Sequence, residues 1–475
     1  MVDIIQKQDL DLAVFTNNNT LASQGVSIPQ WTPARAGIVL KASGPQTIQD
    51  AGLGAGNAVA APAVGTLSDV VGVTPEDVRE IVHANYRQNA TTFTVPSSLF
   101  PTVTSVLNYL MPRYLAEKQV ISVVGRVAEP GALPLHAQAH MVTIQGAAAS
   151  APLVPADNVF TGWTPATLAA DIAATMTNIR AKFASSLLFP ASTINTTVGQ
   201  SFYSMSNLIC ENYGISMRDN ATFYSSDLTI LNGRVEVDKN SHATMLNFNS
   251  FVTNNFNMTA NNNSSINISA GFIKSALSAL LLDGASDVVV IGAAQGMDIR
   301  TFQTGLFCRD ASTLVFKMLA NSGSHTVASL TANAITQQSG ILMLGVLTGA
   351  TLTISSEQIA AIVARGVLQK DDNVGGGSLV ISGGTAGNSA LSVGSSAELQ
   401  RNTTIISNNA AALTHIEVEA GSLLKVNTPF TFSGVAIDNL AVRQMGRVSL
   451  NGVAVPLGAN IPLNTATANG AYIAA

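Results

Sequence analysis

From about Asn220 onward the chain repeats one short phrase: a small turn residue, then a brief run in which apolar and polar positions alternate. LDGASDVVVIG, which starts at Leu282, is a clear copy. Others begin at Asn220, Asn240, Asn263, Asp310, Gly323, Gly349, Gly377, Ser395, Gly421 and Gly446. Including Gly284, the anchors fall in the twenties apart on average, as the coils of a solenoid do. Alternation with period two predicts strands, and a repeat of that length predicts the stacking. One such strand cannot bury its inner face alone, whereas stacked coils pair every backbone group along the axis and close a continuous apolar core. Gly, Asn and Asp at the corners supply the positive φ of a tight bend, and Asn side chains placed in register can ladder between coils. The short steps from Asp310 to Gly323 and from Gly377 to Ser395 break the period, and a β-sandwich with Gly and Asn turns is the alternative architecture.

Before about Pro190 the pattern changes. TPEDVREIVHANYRQ carries a helix start at Thr74 and Pro75, with Val78, Ile81 and Val82 as its apolar stripe. PTVTSVLNYLMPRYLAEK is a shorter apolar pattern interrupted by Pro112, and TPATLAADIAATMTNIRAKFASSLL predicts a long amphipathic helix capped by Thr164. QVISVVGRV and HMVTIQG predict strands on either side of a turn, AEPGALP. The chain therefore divides into a mixed α+β region over 1–195, a β-solenoid over 196–447 and a short β cap over 448–475. FIKSALSALLL and SSEQIAAIVARGVL are the two stretches inside the solenoid that read as short helices.

Composition sharpens this. Only 11% of the 475 residues are charged and 5% aromatic, while 47% are hydrophobic, so the apolar content comes from Ala, Val, Ile and Leu. A stacked β layer favours that balance, because a charge inside it would meet its own copy above and below. A net charge of −5 without clustered Lys or Arg argues against a nucleic-acid partner. Two cysteines, Cys210 and Cys308, are too few for a disulfide framework, although one bridge is open. MVDIIQKQDLDLAVF lacks the basic flank and apolar run of an export signal, and no apolar run reaches the ~20 residues of a membrane span.

The GAS, DAS, GAT and GSL turns followed by strand residues, from about Asn220 to Gly452, resemble the parallel β-helix shafts of bacteriophage tailspikes and tail fibres. The same architecture is similar to pectate lyases and autotransporter passengers. The likeness covers about half of the chain. It implies a mainly β protein, a right-handed parallel β-helix preceded by the mixed α+β region. It also implies a virion structural component (tail fibre, tailspike or baseplate-associated) that is a homotrimer, is assembled in the host cytoplasm, docks to other virion proteins through residues 1–195 and meets a host glycan or protein. The alternatives are a β-helical polysaccharide lyase or hydrolase and a bacterial surface adhesin or surface-layer subunit.

Candidate chemistry is sparse. Asp219, Asp238, Asp283 and Asp310 lie at or just before corners, where adjacent coils could stack two carboxylates in the arrangement glycosidases use. Ordinary turn residues bonding local backbone explain the same positions. Residues 260–475 hold a single Tyr and no Trp to stack on a sugar. Asp371 and Asp372 precede a flexible NVGGGS turn with too few oxygen ligands for calcium. His136 and His140 are spaced i, i+4, but Pro134 and the strand-like context argue against the helix that would join them on a metal. GLGAGN at Gly52 lacks the strand and helix of a dinucleotide site, and the N-x-S/T sequons at Asn220 and Asn267 follow from composition. No catalytic residue, cofactor site or metal site is read, and the protein is taken not to be an enzyme. Trp31, Arg35, Tyr114 and Trp163 are the interface anchors expected in the first region, because large aromatics and Arg dominate interfaces and are scarce elsewhere.

Overall fold

The computed structural model describes residues 87–147, 165–449 and 472–474, apart from 253–255, 276, 293–295, 304, 320–322, 372–375, 387–388, 409–413, 428–429, 436–437 and 444. The helix expected over 74–88 lies almost wholly outside these residues. Two compact units are present. In the first, the described part is a parallel pair, Arg87–Gln88 with Tyr114–Leu115. The second is a parallel β-solenoid of about 12 turns.

From Asp287 on, each full coil of the solenoid places three strands on three parallel ladders; in the coils before it one long strand serves two ladders, as Ser265–Ser275 does in pairing with both Asp287–Gly292 and Met297–Thr301. One ladder passes through Thr222, His242, Ser265, Asp287 and Thr313, then Ile341, Val367, Ser396, Leu423 and Arg447. The steps between these partners are the true coil lengths. They are shortest from Thr222 to His242 and longest from Val367 to Ser396. Five consecutive corners ahead of this ladder are two-residue left-handed bends: Asp219–Asn220, Lys239–Asn240, Asn262–Asn263, Gly284–Ala285 and Asp310–Ala311. Successive corners are linked by backbone bonds, such as Asn220 N–H to Lys239 O at 3.0 Å and Ala285 N–H to Asp310 O at 2.8 Å.

The two short steps in the repeat now have a cause. Gly323, Gly349 and Gly377 precede a different ladder, formed by Gly323–Ser329, Ala350–Ser356 and Ser378–Gly383. Counting from Asp310 to Gly323 therefore jumps from one corner of the coil to another, and from Gly377 to Ser395 it jumps back. Turn residues look alike at every corner, so spacing alone could not separate the three series.

Inward positions stack like on like. Ile215, Val235, Met258, Leu280, Leu306 and Ile335 form one file that continues through Ile362, Leu391 and Ile416 to Leu440, all buried. Such burial, about 1.5–3 kcal/mol for each large aliphatic side chain, is what favours the coil over an open chain. Both cysteines are free and buried, and burial pushes the Cys308 thiol up to about 12, so neither is a reactive group at neutral pH.

FIKSALSALLL and SSEQIAAIVARGVL do not form helices. The first lies in strands Ser265–Ser275 and Ser278–Leu282, the second in Ile362–Ala364 and Val367–Lys370. A short apolar run fits either period, and pairing with the coils above and below selects the strand. Upstream, the long helix does form, and the apolar pattern before Pro112 is a helix too. Val103–Leu110 ends before Pro112 and is capped by Thr102, with Ser105 completing the box. Glu129 adds a carboxylate to its N-terminus, accepting from Val103 N–H at 2.7 Å and Thr104 N–H at 3.0 Å. Pro165–Lys182 is the second helix; Thr164 lies outside the described residues. Parallel pairing already starts upstream of residue 196: Thr92–Val95 pairs with Gln119–Val123, which pairs with Val142–Gly146. The helices are thus inserted between early strands of the same ladders.

Polar groups do interrupt the aliphatic lumen, and one of them is a histidine. His325 is 1% exposed and lies against Gly292, where any Cβ would run into its ring; its Nδ1 accepts the Met297 N–H at 3.1 Å. Desolvation lowers its pKa to about 4. Because the folded value lies below that of the unfolded chain, the unfolded state takes up the proton first. Stability is complete above about pH 6.5 and is lost as pH falls towards 4, by about 3 kcal/mol. His415, lowered by desolvation too, adds in the same direction. Thermal melting between pH 7 and 4 should fall less steeply for His325→Gln, which keeps an acceptor for Met297; an unchanged slope would remove His325 as the cause.

Candidate functional site

The densest buried charge among the described residues lies where the long helix covers the solenoid wall. Ile172, Met176, Ile179 and Phe183 recur at helical spacing and pack with Ile209, Leu231, Phe251 and Phe272 from successive coils. At one edge of this contact Glu211 accepts from Arg126 at 3.2 Å and from Arg180 on the helix at 3.0 Å. Further along the same wall, Phe272 and Lys274 stand on one coil, paired with Asp298 and Arg300 on the next.

Lys274 is fully buried, and its Nζ lies 2.5 Å from Asp298 Oδ2. Arg300 Nε donates to the other carboxylate oxygen, Oδ1, at 2.7 Å. The Lys274 Nζ also lies 6.0 Å from the Phe272 ring centroid. Behind them Asn257 Nδ2 donates to Ser250 Oγ at 2.8 Å and to Lys274 O at 3.2 Å, fixing the Lys274 backbone. Desolvation lowers the Lys274 pKa to about 7, with the Asp298 charge opposing it. Burial pushes the Asp298 carboxyl up, but the Lys274 and Arg300 charges beside it more than offset this and hold it below the usual range. The arrangement brings a fully buried amine that is readily deprotonated against a nearly buried carboxyl group.

The corner carboxylates behave differently. Asp238 Oδ1 accepts from Asn262 Nδ2 at 2.6 Å, and Asp219 lies 3.6 Å from Lys239 Nζ. Asp283 and Asp310 do meet across adjacent coils: their carboxyls share a hydrogen bond that raises Asp310, while Arg309 and that bond outweigh burial and lower Asp283. Arg309 is ion-paired to Asp283, whose Oδ1 also accepts from Gly284 N–H at 2.8 Å. Carboxyls in hydrogen-bond contact leave no room for the glycosidic bond that hydrolytic pairs straddle, so this is corner chemistry. No family model and no curated protein matches the chain. A solved structure, the A-module of the mannuronan C-5 epimerase AlgE6 from Azotobacter vinelandii, is similar at 11% identity over 75% of this chain and 91% of that one, with a TM-score of 0.27. So loose an overlap carries no argument about chemistry.

Trp31, Arg35 and Trp163 lie outside the described residues, as do Asp372 and the glycines near Gly52. Tyr114 is 59% exposed on the strand paired with Arg87–Gln88. His136 is buried and its Nε2 lies 3.1 Å from Leu110 O, whereas His140 is exposed on the short 3-10 turn Ala139–Met141. Among the described residues no group of three His, Cys, Asp or Glu side chains is placed to hold a metal, and no helix is long and apolar enough to cross a membrane. Lys274, Asp298 and Arg300 were not singled out from sequence. The available signal was Lys274 itself, a charge inside the apolar run FIKSALSALLL.

Proposed function

We propose that the chain is a rod-forming structural and adhesive protein of the kind that bacteriophage tail fibres and tailspikes represent. The observation behind this reading is how the wall uses its charges: they tie one coil to the next. Lys370 Nζ lies 3.1 Å from Glu398, Arg443 Nε 2.7 Å from Glu417, and Arg309 is paired to Asp283, each bridging adjacent coils. Such pairs contribute little singly, but repeated along about 12 turns they resist sliding and bending of the stack. At ~4.8 Å per coil the solenoid is a rod roughly 55 Å long. In this reading residues 1–195 dock to other virion proteins, the chain assembles as a homotrimer, and the outer turns meet a host glycan or protein.

The test is light scattering with electron microscopy of the purified full-length chain. Elongated particles at three times 49.1 kDa are the expected result. A compact monomer that cleaves polysaccharide would overturn it and favour the lyase or hydrolase alternative.

A further inference from the structure

The geometry points to a covalent crosslink between two coils: an isopeptide bond formed spontaneously from the Lys274 amine and the Asp298 carboxyl. Three observations converge on it. The reacting groups already touch, with Nζ 2.5 Å from Oδ2, and Lys274 is fully buried. The partner oxygen, Oδ1, is held by Arg300 Nε at 2.7 Å, the position at which negative charge develops when an amine adds to the carboxyl carbon. The ring beside the Lys274 nitrogen, Phe272, is itself buried in the cluster that Phe251 forms with Ile172 and Met176 of the covering helix. Solvent exclusion of this kind weakens the ion pair relative to its neutral amine and acid forms, and a desolvated lysine is a nucleophile.

The step balances without any co-reactant. The ammonium passes a proton to Oδ2 along their contact, and the freed amine attacks Cγ. A C–N bond forms, and Arg300 stabilises the oxyanion at Oδ1. Nζ then gives up a second proton to Oδ2, the Cγ–Oδ2 bond breaks, and one water leaves. The ammonium's third hydrogen remains on the amide. The fixed backbone limits misalignment, since Lys274 is paired with Phe251 on one side and Arg300 on the other, and Asn257 anchors its carbonyl. Proximity of this order is what makes an uncatalysed condensation accessible within a fold.

The experiment is intact-mass spectrometry of the folded full-length chain, aged at mildly alkaline pH, followed by peptide mapping. A mass lower by one water, with a branched peptide joining the Lys274 and Asp298 segments, is the expected result. Lys274→Met and Asp298→Ala should each have the full mass of their own sequence. Arg300→Gln should slow the loss of water at least tenfold if Arg300 positions and polarises the carboxyl. The full sequence mass in the aged wild-type chain overturns the inference, whatever the variants do. So does a water loss that maps to a linear peptide, as a succinimide at Asp283–Gly284 would give.

Discussion

Gly340→Val is expected to lower the stability of the solenoid by about 4 kcal/mol, the sum of a strained backbone and an overpacked contact. Gly340 sits at φ +79, where a β-branched residue is an outlier. A Cβ there would also collide with the backbone of Ser312 on the preceding coil, whose carbonyl accepts the Ile341 N–H at 2.9 Å. The collision is with main chain, so no side-chain rotation relieves it. Because each coil contacts only its neighbours, the damage should centre on the coils around 312 and 340. Hydrogen exchange should show protection lost there first, and far-UV melting should show an earlier transition. Wild-type protection at Ile341 in the variant would mean that the corner is more plastic than its close backbone packing implies.

The second large effect is expected from Asp298→Ala, about 3–5 kcal/mol, because it takes away the one carboxylate that pairs with both the buried Lys274 and Arg300. The Lys274→Met, Asp298→Leu double variant should recover most of that loss, since removing both charges costs little when the space is refilled with apolar volume. Urea unfolding of the single and double variants measures the difference. A single variant as stable as the double would mean that Lys274 is neutralised by other means.

Much of the wall was readable from sequence because its rule is local. Alternation at GASDVVVIG marks which residues point inward, and Gly, Asn or Asp marks where the chain must bend. Asn220, Asn240, Asn263, Gly284 and Asp310 all stand at true corners for that reason. The candidate site was not readable. Lys274 and Asp298 lie a full coil apart along the chain, and nothing in either segment states that the next coil brings them together.

The residue pattern by itself determined that the chain would be mainly β, aliphatic inside and poor in charge, and favoured a solenoid over a β-sandwich, since period, turn chemistry and composition are properties of each coil taken alone. Tertiary structure decided everything that depends on which coil lies against which. It settled the corner to which Gly323 and Gly349 belong, the strand state of FIKSALSALLL and the wall that the helix Pro165–Lys182 covers. It also decided the meeting of Lys274 with Asp298. Coil length is uneven along a single ladder, shorter from Thr222 to His242 than from Val367 to Ser396. Register therefore accumulates from pairing energies summed over the whole stack rather than from spacing in the sequence.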